Sequence, residues 1–353
     1  MSDHFIRLYN ETEEPGEAFF LESGRIFFYP NTADKYAING RKLIFGATEI
    51  LMSRLDGTPT RRIETAITTT DSAIKRMPSE KLIAGLENFS FVLNVAMVTA
   101  RQVLLTNQII SANLNLLEGD AKKTRQISID YYLIVKRLRE EFNKRKYPWL
   151  NEIVKKFEPN LTCKKGEAYH RSSEPVKITE THNLSDKMIE YDRGSVICEE
   201  NTTGEEMYIL QSGTIEVVID GNSVATIEEP GSVSGEMALL LGEKRTATLR
   251  AKNGVVLTKI TKADLKEAAA RQQGLMKGIA LSLAKRHYYN VLKIQNISEQ
   301  AMEQAIESEA SEQSKVPQIQ LARKDLAALQ KHLLDATHGK DVSFMEDLIS
   351  SIR

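Results

Sequence analysis

The chain has 353 residues with a formal net charge of −1, 27% charged and 41% hydrophobic, enough for two or three domains and too evenly charged to support nonspecific nucleic-acid binding. No apolar run reads as a membrane span, and Met1-Ser2-Asp3-His4 lacks the basic and apolar regions of a signal peptide, so a cytoplasmic protein without membrane contact is expected. With only Cys163 and Cys198 present, two inert thiols are expected rather than a disulfide.

In chain order, residues 1–86 are half of an internal repeat. Phe20-Leu21-Glu22-Ser23-Gly24-Arg25-Ile26 mirrors Ile209-Leu210-Gln211-Ser212-Gly213-Thr214-Ile215, and Phe45-Gly46 mirrors Ser234-Gly235, both at an offset of 189. Arg62 and Thr65 match Arg245 and Thr248, and Met77 and Leu82 match Ile260 and Leu265, at an offset of 183, so the first copy carries six extra residues around Leu55-Asp56-Gly57-Thr58-Pro59.

Residues 87–157 read as a helical connector. Phe91, Val92, Val95, Val98, Thr99, Val103 and Leu104 recur at helical spacing, Gly119-Asp120 breaks the pattern, and Ile127 to Lys156 continues it until the interruption at Tyr147-Pro148. The mixed-charge run from Lys136 to Lys146 reads as a solvated helix face. Residues 158–186 read as a linker. A second strand-rich segment with a C-terminal helix fills 187–297, where Met276, Ile279-Ala280, Leu283-Ala284, His287-Tyr288 and Val291-Leu292 form one helical stripe. Residues 298–353 read as a polar spacer followed by amphipathic helices through Leu321, Leu326, Leu329 and Leu333 and from Val342 to Ile352, suited to a partner or to self-association.

The chemistry concentrates between Gly235 and Leu249. A turn at Gly235 opens a short apolar helix whose first N–H groups have no acceptor within the helix, which makes an anion site. Nine residues beyond Glu236, the guanidinium fork of Arg245 suits two phosphate oxygens, Thr246 adds a hydroxyl, and Ala247 keeps the approach narrow. Glu236 beside an anion must face a donor, and a nucleotide offers the ribose 2′-hydroxyl.

The whole run, with Gly194, Ile197, Gly204, Tyr208-Ile209-Leu210, Gly213 and Val217-Val218 upstream, resembles the phosphate-binding cassette of the cyclic-nucleotide-binding domain family, over residues 187 to 297. The resemblance implies an α+β fold of two jelly-roll barrels, each followed by helices and joined by a helical segment, with ligand residues Gly235, Glu236, Met237, Ala238, Arg245, Thr246 and Ala247. Val233 and Ser234 would form the base or ribose wall, and Tyr288 or Tyr289 a cap over the base. In the first copy Ala47 stands where Glu236 stands and Glu64 where Ala247 stands, so that copy is read as degenerate, with Glu49 or Arg61 left as candidates for some other ligand.

The expected function is a non-catalytic sensor of cAMP, or of cGMP, that signals through helix rearrangement to a protein partner, with a homodimer through the helices as a further expectation. Alternatives are a transcription regulator of the catabolite-activator type and a scaffold that has lost nucleotide binding. The first lacks a basic recognition helix, since Asp325, Asp335, Asp341, Glu346 and Asp347 oppose phosphate contact. An enzyme on a jelly-roll barrel would need metal ligands, and His4, His170, His182, His287, His332 and His338 all lie outside the second barrel, so no metal is expected.

Overall fold

Along Glu17–Tyr29, Leu21, Ile26 and Phe28 are buried while Glu22 and Arg25 point outward, the alternation that makes a half-buried strand. In the computed structural model, which describes residues 5–116, 119–170, 186–219, 221–309 and 318–352, this strand (β2) organises the first half. It pairs antiparallel with β3 (Tyr36–Phe45), β4 (Thr65–Thr69) and β5 (Ala73–Pro78), and β1 (Phe5–Tyr9) pairs with β4. The five strands form one open antiparallel sheet. Gly46, at φ +70°, turns the chain from β3 toward α1 (Thr48–Leu55), and α2 (Ser79–Gly85) leads to α3 (Phe89–Leu116).

The chain divides into two compact units, one of Met1–Gln108 with Ser173–Leu292 and one of Ile109–Ser172 with Lys293–Arg353. In the second unit, α4 (Gly119–Arg145) precedes α5 (Pro148–Phe157), which has Pro148 in its first turn where no N–H is needed, and α6 (Leu161–His170). α6 lies inside the segment expected to be a linker. A Cβ added at Gly166 would fall 1.9 Å from the carbonyl oxygen of Ser128, so this glycine permits α4 and α6 to touch backbone to backbone. Residues 171–185 of the expected linker lie outside the described residues.

In the first unit, the later strands are β6 (Met188–Tyr191), β7 (Val196–Cys198), β8 (Glu206–Ser212), β9 (Ile215–Ile219), β10 (Asn222–Ile227), β11 (Val233–Ser234), β12 (Thr248–Ala251) and β13 (Val255–Thr261). They form two open four-stranded antiparallel sheets, ordered β10-β9-β12-β7 and β11-β8-β13-β6. Ile197, Tyr208, Leu210, Ile215, Leu249 and Leu257 make the core between them. β8 and β9, separated at Gly213, pair as the single long β2 does: with β10 and β11 as β2 with β3, with β12 as β2 with β4, and with β13 as β2 with β5. α7 (Glu236–Leu241) follows β11, and α8 (Leu265–Arg271) and α9 (Leu275–Glu309) follow β13. The expected stripe of α9 is buried: Met276, Ile279, Ala280, Leu283 and Ala284 share one core with Val92, Val95, Ala96 and Val103 of α3 and with Ile50 and Leu51 of α1. Each of the larger side chains, Val, Leu, Ile and Met, contributes about 1.5–3 kcal/mol by leaving water. The helix runs twelve residues beyond the expected end at 297.

Phe89–Leu114 of α3 is long and apolar enough to cross a membrane, which corrects the expectation that no run approaches that length; half of its most apolar window is buried inside the fold. The C-terminal helices α10 (Gln318–Thr337) and α11 (Glu346–Ile352), with the 3-10 turn Ser343–Met345 between them, place Leu329, Leu333, Met345 and Ile349 in one core with Tyr131, Leu138, Leu150 and Ile153. Leu329 and Leu333 of the stripe read as a surface for partners are thus used within the chain's own second unit, while Leu321 stays exposed. In the basic run, Arg137, Lys144 and Arg145 all reach Glu141 on the same helix. Cys163 and Cys198 are free thiols; burial pushes Cys163 up to about 11 and raises Cys198.

Candidate functional site

Gly235 stands between β11 and α7 at φ +81°, a conformation that suits glycine. A second reason for its lack of a side chain is contact: an added Cβ would lie 2.3 Å from Nη1 of Arg245, and one at Gly204 would lie 2.2 Å from Nε. Arg245 therefore lies flat between two glycines. Its Nη1 donates to the carbonyl oxygen of Gly235 at 2.9 Å, and its Nη2 donates to that of Glu206 at 2.7 Å, with the Glu206 carboxylate 3.3 Å away. These bonds fix the guanidinium plane beside the turn.

One cavity of about 240 Å³ collects the cassette. Gly235, Glu236, Met237, Ala238, Arg245, Thr246 and Ala247 all line it, as do Val233 and Ser234; Tyr288 and Tyr289 do not. Those two rings pack edge to face at 5.7 Å, and the Tyr288 phenol is raised by burial and by the charge of Glu49 in the first half. The cavity is lined by four charged side chains, the cations Lys244, Arg245 and Arg286 and the anion Glu236, so an anion entering it meets a positive excess. α7 has six residues, fewer than two turns, so an anion placed there would meet its first-turn N–H groups more than a macrodipole. Val217, Thr226, Ile227 and Leu249 supply apolar wall.

Glu236 is buried at 1% exposure, and Arg286 of α9 donates from Nη1 to its carboxylate, with Nη2 3.4 Å from the carbonyl oxygen of Val233. Arg286 is absent from the sequence reading. Its only sequence signal is a cation beside the apolar stripe of a helix that faces strands, fifty residues from its partner.

The first half carries the same arrangement around Arg62. Its Nη1 donates to the carbonyl oxygen of Gly46 at 2.8 Å and its Nη2 to that of Glu17, the positions matching Gly235 and Glu206. There the resemblance stops. Glu49 of α1 turns inward and pairs with Arg62 at 2.8 Å, both side chains being 2% exposed, and its other oxygen accepts the N–H of Ile63 at 3.3 Å. Glu64 is buried against Tyr36, whose hydroxyl lies 2.8 and 2.9 Å from the carboxyl oxygens and 2.8 Å from Nε2 of His287, while Nδ1 of His287 is 2.9 Å from Oγ1 of Thr48. Burial, then the charge of Glu49, hold Glu64 well above the usual carboxylate range, and burial pulls His287 down to about 3. With both neutral, carboxyl, phenol and imidazole protons serve the three contacts in turn. Arg61 instead faces Glu14 at 3.0 Å near the surface. No group of three or more His, Cys, Asp or Glu able to hold a metal ion occurs among the described residues.

Antiparallel sheets that present a glycine turn, a buried glutamate and a buried arginine to one cavity define the class: residues 188–272 match the family model of the cyclic nucleotide-binding domain, and this segment is such a domain. The chain is 32% identical over 113 residues to a cAMP-dependent protein kinase regulatory subunit of Blastocladiella emersonii, covering 29% of this chain and 28% of that protein. It is 40% identical over 76 residues to cyclic nucleotide-gated channel beta-1 of Homo sapiens, covering 20% of this chain and 6% of the channel. The chain thus spans under a third of the length of the regulatory subunit and a small part of the channel. Among solved structures, cAMP-bound PfPKA-R is similar at 16% identity and a TM-score of 0.26, covering 76% of this chain and 71% of that one. The regulatory domain of Toxoplasma gondii PKA with cAMP is similar at 13% identity and a TM-score of 0.22, covering 76% and 80%.

Proposed function

We propose that the chain is a non-catalytic cytoplasmic sensor that binds one cyclic nucleotide, cAMP in preference to cGMP, in the cavity beside α7 and signals through its helices to a protein partner. The observation that carries this reading is the convergence of Glu236, Arg245 and the α7 N–H groups on one cavity with a cationic excess. Arg245 would take the phosphate, Glu236 the ribose 2′-hydroxyl, and Val233 with the apolar wall would flank the sugar and base. The similarity to a cAMP-dependent regulatory subunit supports cAMP over cGMP and a protein partner over DNA. In the first half, the shared strand pairing and the matching bonds of Arg62 support descent from a second copy of the same module, and its Glu49–Arg62 pair supports a site that takes no nucleotide.

The catabolite-activator alternative draws no support from the C-terminal helices, where Leu329 and Leu333 face inward and Asp325 accepts a hydrogen bond from Thr162 at 2.6 Å. Calorimetric titration of the purified chain with cAMP and with cGMP tests the proposal. Arg245→Ala is expected to weaken binding by about 2–5 kcal/mol, as for loss of one partner of a buried charge pair. Equal binding by the variant would overturn the assignment of Arg245 to the phosphate, and no heat with either nucleotide would leave the chain a scaffold.

A further inference from the structure

The strongest unexplained contact in the cavity is internal. The Glu236 carboxylate, which on the reading above receives the ribose 2′-hydroxyl, already holds the guanidinium of Arg286. Both side chains line the same cavity, Glu236 at 1% side-chain exposure and Arg286 at 24%.

Arg286 is also presented by a helix that is held in place. The next residue, His287, is buried and bonded on both ring nitrogens to Tyr36 and Thr48 of the first half. Asn290, one turn on, donates to Oγ1 of Thr106 at 3.0 Å and to Oδ1 of Asn107 at 2.9 Å. Leu283 and Ala284 before it are fully buried in the shared core. Moving this stretch of α9 away from the cavity would break that polar network and open the core, whereas swinging one arginine side chain breaks only its own bonds.

From this geometry we propose that Arg286 is a built-in competitor for Glu236, which lowers the affinity of the cavity for ribose nucleotides and blunts its ability to read the 2′-hydroxyl. The inference rests on the cyclic-nucleotide reading of the cavity. A neutral hydroxyl arriving at Glu236 must displace or share an ion pair, so the hydroxyl returns little net binding. A 2′-deoxy nucleotide leaves the Glu236–Arg286 pair intact and loses little by comparison. Without Arg286, the buried carboxylate has the ribose hydroxyl as its donor, and that bond carries its full weight. The positive charge of Arg286 also attracts any anionic ligand, but it does so equally for ribose and deoxyribose forms. The ratio of the two dissociation constants therefore isolates the competition.

The test is the dissociation constant of the full chain for cAMP and for 2′-deoxy-cAMP, in wild type, Arg286→Ala, Arg286→Gln and Arg286→Lys. The wild-type ratio of deoxy to ribose form is expected to be small, and to rise on the order of tenfold in Arg286→Ala, the weight of one hydrogen bond to a charged group. Arg286→Lys keeps the cation and should stay near the wild-type ratio; Arg286→Gln keeps a donor without the charge and should fall between, and it carries the comparison if the alanine variant does not fold. An unchanged or reduced ratio in a folded variant that still binds cAMP overturns this inference and leaves the cavity reading standing. No binding of either nucleotide by any of the folded chains overturns both.

Discussion

Replacing Glu49 with alanine tests whether the first half fills its own site. The substitution leaves the Arg62 guanidinium, 2% exposed, without its carboxylate, while its bonds to the carbonyl oxygens of Gly46 and Glu17 persist. Breaking one side of a buried pair costs about 3–5 kcal/mol, and the two surviving bonds point to the lower end, about 3 kcal/mol. For a unit of this size that corresponds to a fall in Tm of roughly 6–12 °C, read by calorimetry. A second readout follows from Glu49 standing where an anion would sit. In an Arg245→Ala background, which removes the proposed anion ligand of the cavity beside α7, inorganic sulfate should raise the Tm of Glu49→Ala by more than that of the chain with Glu49, because mass action on the freed guanidinium adds to the general stabilisation that sulfate gives both. A loss below about 1 kcal/mol, with equal sulfate responses in the two chains, would refute the idea that this pair occupies the site.

The other predictions concern the turn, the buried network and the C-terminal helices. Gly235→Ala puts a Cβ 2.3 Å from Arg245 at φ +81°, so nucleotide binding should be lost and stability should drop by about 2 kcal/mol, seen in titration and urea unfolding. His287, at about 3 against an ordinary 6.5, stays neutral in the fold while the unfolded residue protonates. Its contribution is therefore complete above pH 6.5 and is lost as pH falls toward 3, at up to ~1.4 kcal/mol per pH unit. Glu64, raised by burial and by Glu49, works in the opposite sense in both chains, so the comparison is of slopes: urea unfolding between pH 7 and 5 should fall less steeply for His287→Gln than for wild type, and parallel slopes would contradict it. Ending the chain after residue 309 strips Leu329, Leu333, Met345 and Ile349 from the core of the second unit, and should expose α4 and α5 to dye binding and to limited proteolysis.

The run from Gly235 to Leu249 could be picked out in the sequence because it is fifteen contiguous residues, where a glycine that tolerates positive φ, a short helix and an arginine need no long-range information; the structure brings the candidate residues Gly235 to Ala238 and Arg245 to Ala247 to one cavity, and their role as ligands is the proposal. The repeat was legible for a similar reason, through glycines and an arginine held at constant offset, and Arg62 repeats the carbonyl bonds of Arg245. What the sequence did not carry was pairing between distant positions. Arg286 meets Glu236 across fifty residues, and Glu49 pairs with Arg62, because an inward carboxylate on α1 looks like any helix-surface glutamate until the sheet is built. α6 was hidden because residues 158–186, with Lys164-Lys165-Gly166 among them, show little periodicity and read as a linker; the glycine there answers to the Ser128 carbonyl on α4. The stripe of α10 announced a buried face and not what buries it, which proved to be α4 and α5.

The most direct test of the central claim is binding stoichiometry by equilibrium dialysis of the full chain with labelled cAMP, beside the Arg245→Ala and Arg62→Ala variants. One site per chain, lost in Arg245→Ala and retained in a folded Arg62→Ala, is the predicted result. Two sites, or one that survives Arg245→Ala, would contradict it.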